Sequence, residues 1–287
     1  DPGDRSQIRG LIADHVLCRT VRDCAAMLDT TGRPQPGSPF APPPKAGPYL
    51  DELDRAPGRL RIAFSERTPS GHPIDQEVSD RLRDTAQALA ELGHDVRERD
   101  LDIDMRALYL AERTVGAAAF AAGIAEIAER VGHEPGPDDL EQLAVRAWRA
   151  GRSVAAADAL RAFGQLQELC WRIGEWFAGI DVFLTPVMGT PPPRLDELDP
   201  VHGDLRAFDR RSRDTFPFTP PFNMTGQPSM SLPLHWSANG LPIGMMFTAR
   251  YADEATLFRL AAQLERELPW ADQRPPAVAA GSGVRRG

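Results

Sequence analysis

Apolar and polar positions follow two periods along this chain, and the switches between them lay out its elements. From 75 to 92, Val78, Leu82, Ala86 and Leu89 recur at helical spacing and Gly93 ends the run, which predicts an amphipathic helix. Arg59-Leu60-Arg61-Ile62-Ala63-Phe64 alternates as a half-buried strand does, and His94-Asp95-Val96 opens another. Strand, helix and strand in that order is the sequence form of a parallel crossover. Upstream, Thr20 is placed to cap a helix over 21–28 with Val21, Ala25 and Leu28 on one face, and residues 1–19 read as loop and short strand. Residues 32–48, dense in proline and glycine, predict an extended surface connection.

Alanine-rich helical patterning over 105–131, 138–150 and 153–178 predicts a helical cap or insertion spanning about 104–178. Asp181-Val182-Phe183-Leu184-Thr185-Pro186 is nearly continuous apolar sequence stopped by proline, the pattern of a strand buried on both faces. After a proline-rich loop over 187–200, runs at 229–236 and 241–249 flank Asn239-Gly240 as two strands around a hairpin turn. Residues 253–267 predict a last helix, with Leu257, Leu260, Ala261 and Leu264 inward. Residues 271–287 read as a disordered tail beyond a domain that ends near 270.

Composition narrows the classes. The chain has 287 residues, 42% hydrophobic and 26% charged, so wholesale disorder is excluded and one large or two smaller domains are expected. A net charge of −8 argues against a nucleic-acid scaffold. No apolar run reaches the roughly 18 residues of a membrane span, and a soluble, cytoplasmic protein is the expectation. The three cysteines, Cys18, Cys24 and Cys170, form no CxxC pair and read as buried free thiols. Six histidines show no ligand-like spacing, so no metal site is expected. Dinucleotide, phosphate-loop, HExxH and nucleophile-elbow signatures are absent, and no cofactor is expected. All basic residues but Lys45 are arginine.

Two regions resemble a known family. Residues 14–29, from Asp14-His15 through Arg19-Thr20-Val21-Arg22-Asp23 to Leu28-Asp29, are similar to a stretch of the amidase signature family. Further on, Asp181-Val182-Phe183-Leu184-Thr185-Pro186, the loop from Thr219 to Pro233 containing Asn223-Met224-Thr225-Gly226-Gln227-Pro228, and Gly240-Leu241-Pro242-Ile243-Gly244-Met245-Met246 resemble three more of its motifs in the same order, with Met246 where glutamine is usual. Order and spacing agree from about 11 to 268. His15 and the loop 36–50 most resemble the branch of 6-aminohexanoate cyclic-dimer hydrolases.

The resemblance implies an α/β fold with a mixed, mainly parallel sheet flanked by helices. It also implies hydrolysis of carboxamide bonds other than peptide bonds by a serine nucleophile, a second serine in a cis peptide linkage and a neutral lysine base. Those three residues belong to a segment N-terminal to the stretch that matches at residue 14, and no Gly-Gly-Ser-Ser-Gly run occurs here. Lys45 lies between Pro44 and Ala46-Gly47-Pro48, where an ammonium stays solvated and charged, so it is not read as that base. The expectation is the C-terminal portion of such an enzyme, a fragment that opens on Asp1, carries no catalytic residue and is inactive alone. The alternative is a non-catalytic binding or regulatory module that pairs with a separate N-terminal half.

What this portion can contribute is a binding wall. In 222–228 the polar Asn223, Thr225 and Gln227 alternate with apolar neighbours, and Gly226 permits close backbone approach. These four are the candidate substrate-binding residues, for a small-molecule amide; the competing reading is a loop that only orders the sheet edge. Tyr109, Glu112, Phe120 and Trp148 of the helical block either shape specificity or, for the aromatics, pack. No nucleic-acid or membrane partner is expected, and a homo-oligomer is left open.

Overall fold

The structure, a computed structural model, describes residues 11, 15–33, 43–69, 71–136, 138–201 and 203–273. The readings at 1–10, most of the loop 36–50 up to residue 42, and the tail from 274 onward lie outside the described residues. The helices are α1 (Val21–Thr31), α2 (Gln76–Glu91), α3 (Met105–Val131), α4 (Gln142–Arg152), α5 (Ala156–Trp176), α6 (Leu205–Thr215), α7 (Pro220–Thr225) and α8 (Glu254–Glu267). The strands are β1 (Arg61–Phe64), β2 (Asp95–Glu98), β3 (Val182–Pro186), β4 (Ser229–Trp236) and β5 (Pro242–Ala249), with a 3-10 helix at Tyr49–Asp54.

The strands form one mixed sheet in the order β2-β1-β3-β5-β4. β1 pairs in parallel with both β2 and β3, while β5 pairs antiparallel with β3 and β4. Parallel and antiparallel pairings are thus equal in number among the described strands, where the family resemblance implied a mainly parallel sheet. The hairpin at Asn239-Gly240, with Gly240 at φ +75°, sets β5 antiparallel to β4, and the entry of β5 beside β3 adds the second antiparallel ladder.

Alternation in the sheet sends neighbouring side chains into two separate cores. Ile62, Val182, Leu184, Met245 and Phe247 pack with α1, α2 and α8. Ala63, Phe183 and Met246 pack on the opposite face with α3, α5 and α7. The result is a helix–sheet–helix sandwich whose centre is β3, with all five residues buried. Asp181 ties three strands together as it leads into β3. Its carboxylate accepts from Arg61 N (2.8 Å), Arg61 Nε (3.1 Å) and Arg61 Nη2 (2.9 Å), and from Arg250 just beyond β5. Arg250 Nε also donates to Ile180 O at 2.8 Å.

The predicted helical block is present as α3, α4 and α5, with α3 starting and ending as read from the sequence. α4 crosses α3 at Gly151, its one buried residue, where an added Cβ would lie 1.9 Å from Ala117 O. The Arg146–Asp209 fork, at 2.8 and 2.7 Å, ties α4 to α6. Three elements went unread in the sequence. The 3-10 helix holds its place because buried Glu52 pairs with Arg259 of α8 and Arg55. α6 starts at the cap Asp204, whose carboxylate accepts from Arg206 N. α7 has proline at its first turn, a helix-start signal that the surrounding loop residues obscured.

The thiols depart in part from the sequence reading. Cys24 and Cys170 are half-buried, and burial pushes both thiols above their ordinary pKa, Cys18 adding to the effect at Cys24. Cys18 itself is exposed, because the strip that carries it lies on the surface beside α1.

Two measurements check these packing arguments. Gly151→Ala gains roughly 1 kcal/mol of helix propensity but drives a methyl into the α3 backbone, where overpacking costs about 1–3 kcal/mol. A lower melting temperature by circular dichroism is therefore expected, and an unchanged or higher one contradicts the α3–α4 contact. The second concerns His235. The Thr85 hydroxyl donates to Arg81 O (3.0 Å), so His235 Nε2–H donates to Thr85 Oγ1 (2.7 Å). Burial, opposed by Asp84 and aided by Arg81, holds this imidazole below the ordinary value of 6.5. The unfolded chain therefore takes up the proton first. Stability from this site is complete above about pH 6.5 and is lost as the pH falls through the depressed folded value. Melting curves from about pH 7.5 down to 5 should show a decline that His235→Gln, which keeps an N–H for Thr85, partly removes.

Candidate active-site groove

α7 is short and owes its position to one side chain. Phe222 packs edge-on against Phe177 and Phe183, with ring centroids 6.4 and 6.3 Å away, and Trp176 joins the same cluster 4.8 Å from Phe183. Trp176 is held in turn by its indole N–H on Asp100 O at 3.0 Å. Cys170 Sγ donates to Met224 O at 3.4 Å, closing α7 onto α5. With Phe222 and Met224 facing inward, Asn223 is left exposed on the opposite side.

α7 ends on Gly226, whose φ of +68° is the left-handed value that a helix C-cap requires. A Cβ there would also lie 3.5 Å from the Tyr251 ring. The chain then turns into β4 through Gln227, which is 6% exposed. Gln227 Nε2 donates to Ala249 O at 3.0 Å, while its Oε1 is shut off from solvent and has no hydrogen-bond partner among the described residues.

A groove of about 570 Å³ is lined both by the strip of residues 15–21 and by Phe222 and Asn223 of α7. His15 Nε2 lies 3.4 Å from Cys24 O, the Trp270 indole N–H donates to Arg19 O at 3.2 Å, and Val21 N donates to Glu265 Oε1 at 3.0 Å. The strip is thereby bound to α1 on one side and to the C-terminal helix region on the other. The floor is apolar, made by Met246, Leu257 and Phe258, and one side is the β4 edge from Pro228 to Pro233.

Of the four candidate binding residues, Asn223, Gly226 and Gln227 line this groove. Thr225 stands behind them: its hydroxyl donates to Phe222 O and accepts from Gln227 N, both at 3.4 Å. The groove also holds Arg19, Ser229 and Ser231, which lie in the family-like stretches but were not singled out as site residues, and Glu254, which no motif marks. None of the four helical-block candidates lines it. Tyr109 donates to Pro217 O (3.5 Å) and its phenol is pushed up to about 12 by burial, with Glu112 adding to this. Burial also raises the Glu112 carboxyl. Trp148 lies under the Arg152 guanidinium at 5.0 Å, and Phe120 is half-buried in α3. Lys45 sits outside the groove, paired with Asp29 and 4.7 Å above the Tyr49 ring. Asp29 also accepts from Tyr49 N (2.9 Å) and Leu50 N (3.1 Å), and these bonds outweigh desolvation to hold its carboxyl below the ordinary range. Among the described residues no group of three or more His, Cys, Asp or Glu could hold a metal ion, and no helix is long and apolar enough to cross a membrane.

A mixed sheet between two helical layers, with a groove at one sheet edge formed by these motifs, defines an α/β protein of the amidase class. The family profile "Amidase" matches residues 9–258, and the chain belongs to that family. It is 34% identical over 286 residues to the 6-aminohexanoate-cyclic-dimer hydrolase of Paenarthrobacter ureafaciens, covering 95% of this chain and 57% of that protein. A 6-aminohexanoate-cyclic-dimer hydrolase of Pseudomonas sp. strain NK87 is 33% identical over the same shares. The solved structure of a 6-aminohexanoate cyclic dimer hydrolase superposes with a TM-score of 0.82 at 31% identity, over 91% of this chain and 56% of that one. The chain therefore spans little more than half the length of the relatives it matches.

The positions of α7 and Gly226 can be tested by stability. Gly226→Val places a β-branched residue at positive φ, a cost of about 1–3 kcal/mol, whereas Gly226→Asn tolerates that region and should retain most of the stability. Phe222→Ala removes a buried ring and should cost about 3–5 kcal/mol. Denaturant titrations in which Gly226→Val matches the parent would contradict the cap geometry.

Proposed function

We propose that this chain is the C-terminal portion of an amidase that hydrolyses carboxamide (C–N, non-peptide) bonds in a small-molecule substrate. The serine nucleophile, the second serine and the lysine belong to a segment outside this chain. The observation that carries the reading is the groove itself. Residues from 15–24 and from 219–233, two stretches that resemble the family and lie some 200 residues apart in sequence, line it together.

In this reading Asn223 is the residue on this chain best placed to meet the substrate. Its exposed amide offers one acceptor and two donors, the complement of a carboxamide. Gly226 keeps the backbone side-chain-free beside it, Gln227 adds to the wall with its side-chain amide N–H tied to Ala249 O, and Thr225 holds the turn in shape from behind. The apolar floor of Met246, Leu257 and Phe258 suits aliphatic carbon between polar ends. Aliphatic cyclic amides, the kind that names the relatives, are the first substrates to assay.

The chain alone should not hydrolyse a chromogenic anilide above background or take up a serine-directed fluorophosphonate, since losing such a catalytic set costs on the order of a million-fold. Stoichiometric labelling of any serine would overturn the assignment of the nucleophile to another segment. Once a segment carrying the two serines and the lysine is supplied, Asn223→Ala should lower kcat/KM about five- to a hundredfold, the loss of one hydrogen bond to substrate. A change within about twofold on several amides would remove Asn223 from the site.

A further inference from the structure

α5 buries one face and leaves the other with side chains that the chain itself does not use. Its inward run is Ala162, Leu166, Leu169 and Ile173. At about 3.6 residues per turn, the opposite face carries Leu160, Gly164, Gln167 and Trp171, at i, i+4, i+7 and i+11. A helix on the surface normally turns polar residues outward, yet here Leu160 is 73% and Trp171 74% exposed. Gly164 is equally out of place. Glycine is a poor helix former, and nothing lies within 4 Å of where its Cβ would be. Gly151, by contrast, is required by the close approach of Ala117 O. A bulky indole and a bare stretch of backbone thus stand two turns apart on one face, neither explained by a neighbour.

The two features complement each other across a two-fold axis. Let a second α5 lie antiparallel over this face, with the axis midway between 164 and 171. Trp171 of each copy then meets Gly164 of the other, and the contact occurs twice. Each indole is a knob, each glycine is the hole that receives it, and the missing Cβ lets the two backbones approach. The same register brings Gln167 to its own counterpart beside the axis. An amide carries both donors and an acceptor, so it is its own complement. On one flank the register sets Arg161 opposite Glu175 of the other copy, both of them exposed. Arg161 is paired with Asp158, and Arg172 donates to Glu168 Oε1 at 2.6 Å, which keeps the charges at the rim of the apolar stripe.

We propose that the outward face of α5 is the seam of a symmetric homodimer, in which Trp171 of each copy packs into the notch at Gly164 of the other. A second copy is the occupant that the face itself specifies, because this chain supplies both knob and notch at matching distances from one axis. The seam is independent of the amide-hydrolysis reading, since no residue of α5 lines the groove. A seam made by one helix falls at the small end of protein interfaces, so association in the micromolar range is expected.

Sedimentation velocity of the full chain over about 1–100 μM should show a monomer–dimer equilibrium. Gly164→Gln separates a seam from a merely structural glycine. Within one copy nothing obstructs the added side chain, and glutamine is the better helix former. The melting temperature of the dilute chain should therefore hold or rise, while dimerisation weakens at least about tenfold. Trp171→Glu, at an exposed position, should weaken dimerisation as much and leave the circular dichroism spectrum unaltered. Ser231→Lys, on the outer strand β4, should leave dimerisation unaltered, which distinguishes this seam from pairing of sheet edges. A short bismaleimide should join Gln167→Cys to its own counterpart, as mapped by peptide mass, and should not join Phe163→Cys, which stands about a turn from the axis. The seam is overturned if the chain stays monomeric over this range, if Gly164→Gln or Trp171→Glu dimerises as the parent does, or if Phe163→Cys cross-links as readily as Gln167→Cys. It is also overturned if co-expression with the part of the Paenarthrobacter ureafaciens hydrolase outside the 286 matched residues abolishes the Gln167→Cys cross-link, since that part and not a second copy would then occupy the face.

Discussion

A five-residue strand with no exposed side chain has to be covered on both faces, and the layout of this chain follows from that constraint. Val182 and Leu184 point into one core and Phe183 into the other. Burial of each large side chain contributes roughly 1.5–3 kcal/mol, so neither face tolerates water. α2 and α8 cover one side, and α3, α5 and α7 the other. Phe183 has the further consequence that Phe222 must meet it edge-on, which places α7, and with it Asn223 and Gly226, at the mouth of the groove. The candidate site is thus a by-product of how the central strand is sealed.

Charge is used sparingly and locally. In a chain with one lysine, arginine forks do the joining. Asp181 gathers Arg61 and Arg250 where β1, β3 and β5 come together, and Glu52 is buried against Arg259 to fasten the 3-10 helix to α8. Both carboxylates sit among donors enough to offset their desolvation. β4 is the exception: it carries no Asp, Glu, Lys or Arg, and beside it the buried Oε1 of Gln227 has no hydrogen-bond partner among the described residues.

The periodic elements were legible in the sequence because their signals are local. α3 begins and ends where its alanine-rich pattern does, β4 coincides with its predicted run, and the nearly continuous apolar run Val182-Phe183-Leu184 before the Pro186 stop announced a strand dry on both faces. Gly226 was legible too, since a position that needs φ > 0 is cheapest for glycine. Thr20 marked the start of α1 where it is observed, and the runs read from 75 and 253 begin one residue before α2 and α8, on the side-chain caps Asp75 and Asp253.

What tertiary structure alone decided is what depends on partners distant in sequence. The 3-10 helix needs Arg259, some 200 residues on, and α7 needs Phe183 and Phe177 to hold a helix too short to stand by itself. The equal share of parallel and antiparallel ladders follows from β5 entering beside β3, which no local pattern encodes. Gln227 was read as a substrate-binding residue, yet its amide is buried and donates to Ala249 O, a partner 22 residues on. The sequence by itself determined which segments are helix and strand and which motifs they carry. Only the packing of β3 between two cores determined that residues 15–21 and α7 line one groove, since that meeting is made by contacts between residues far apart along the chain.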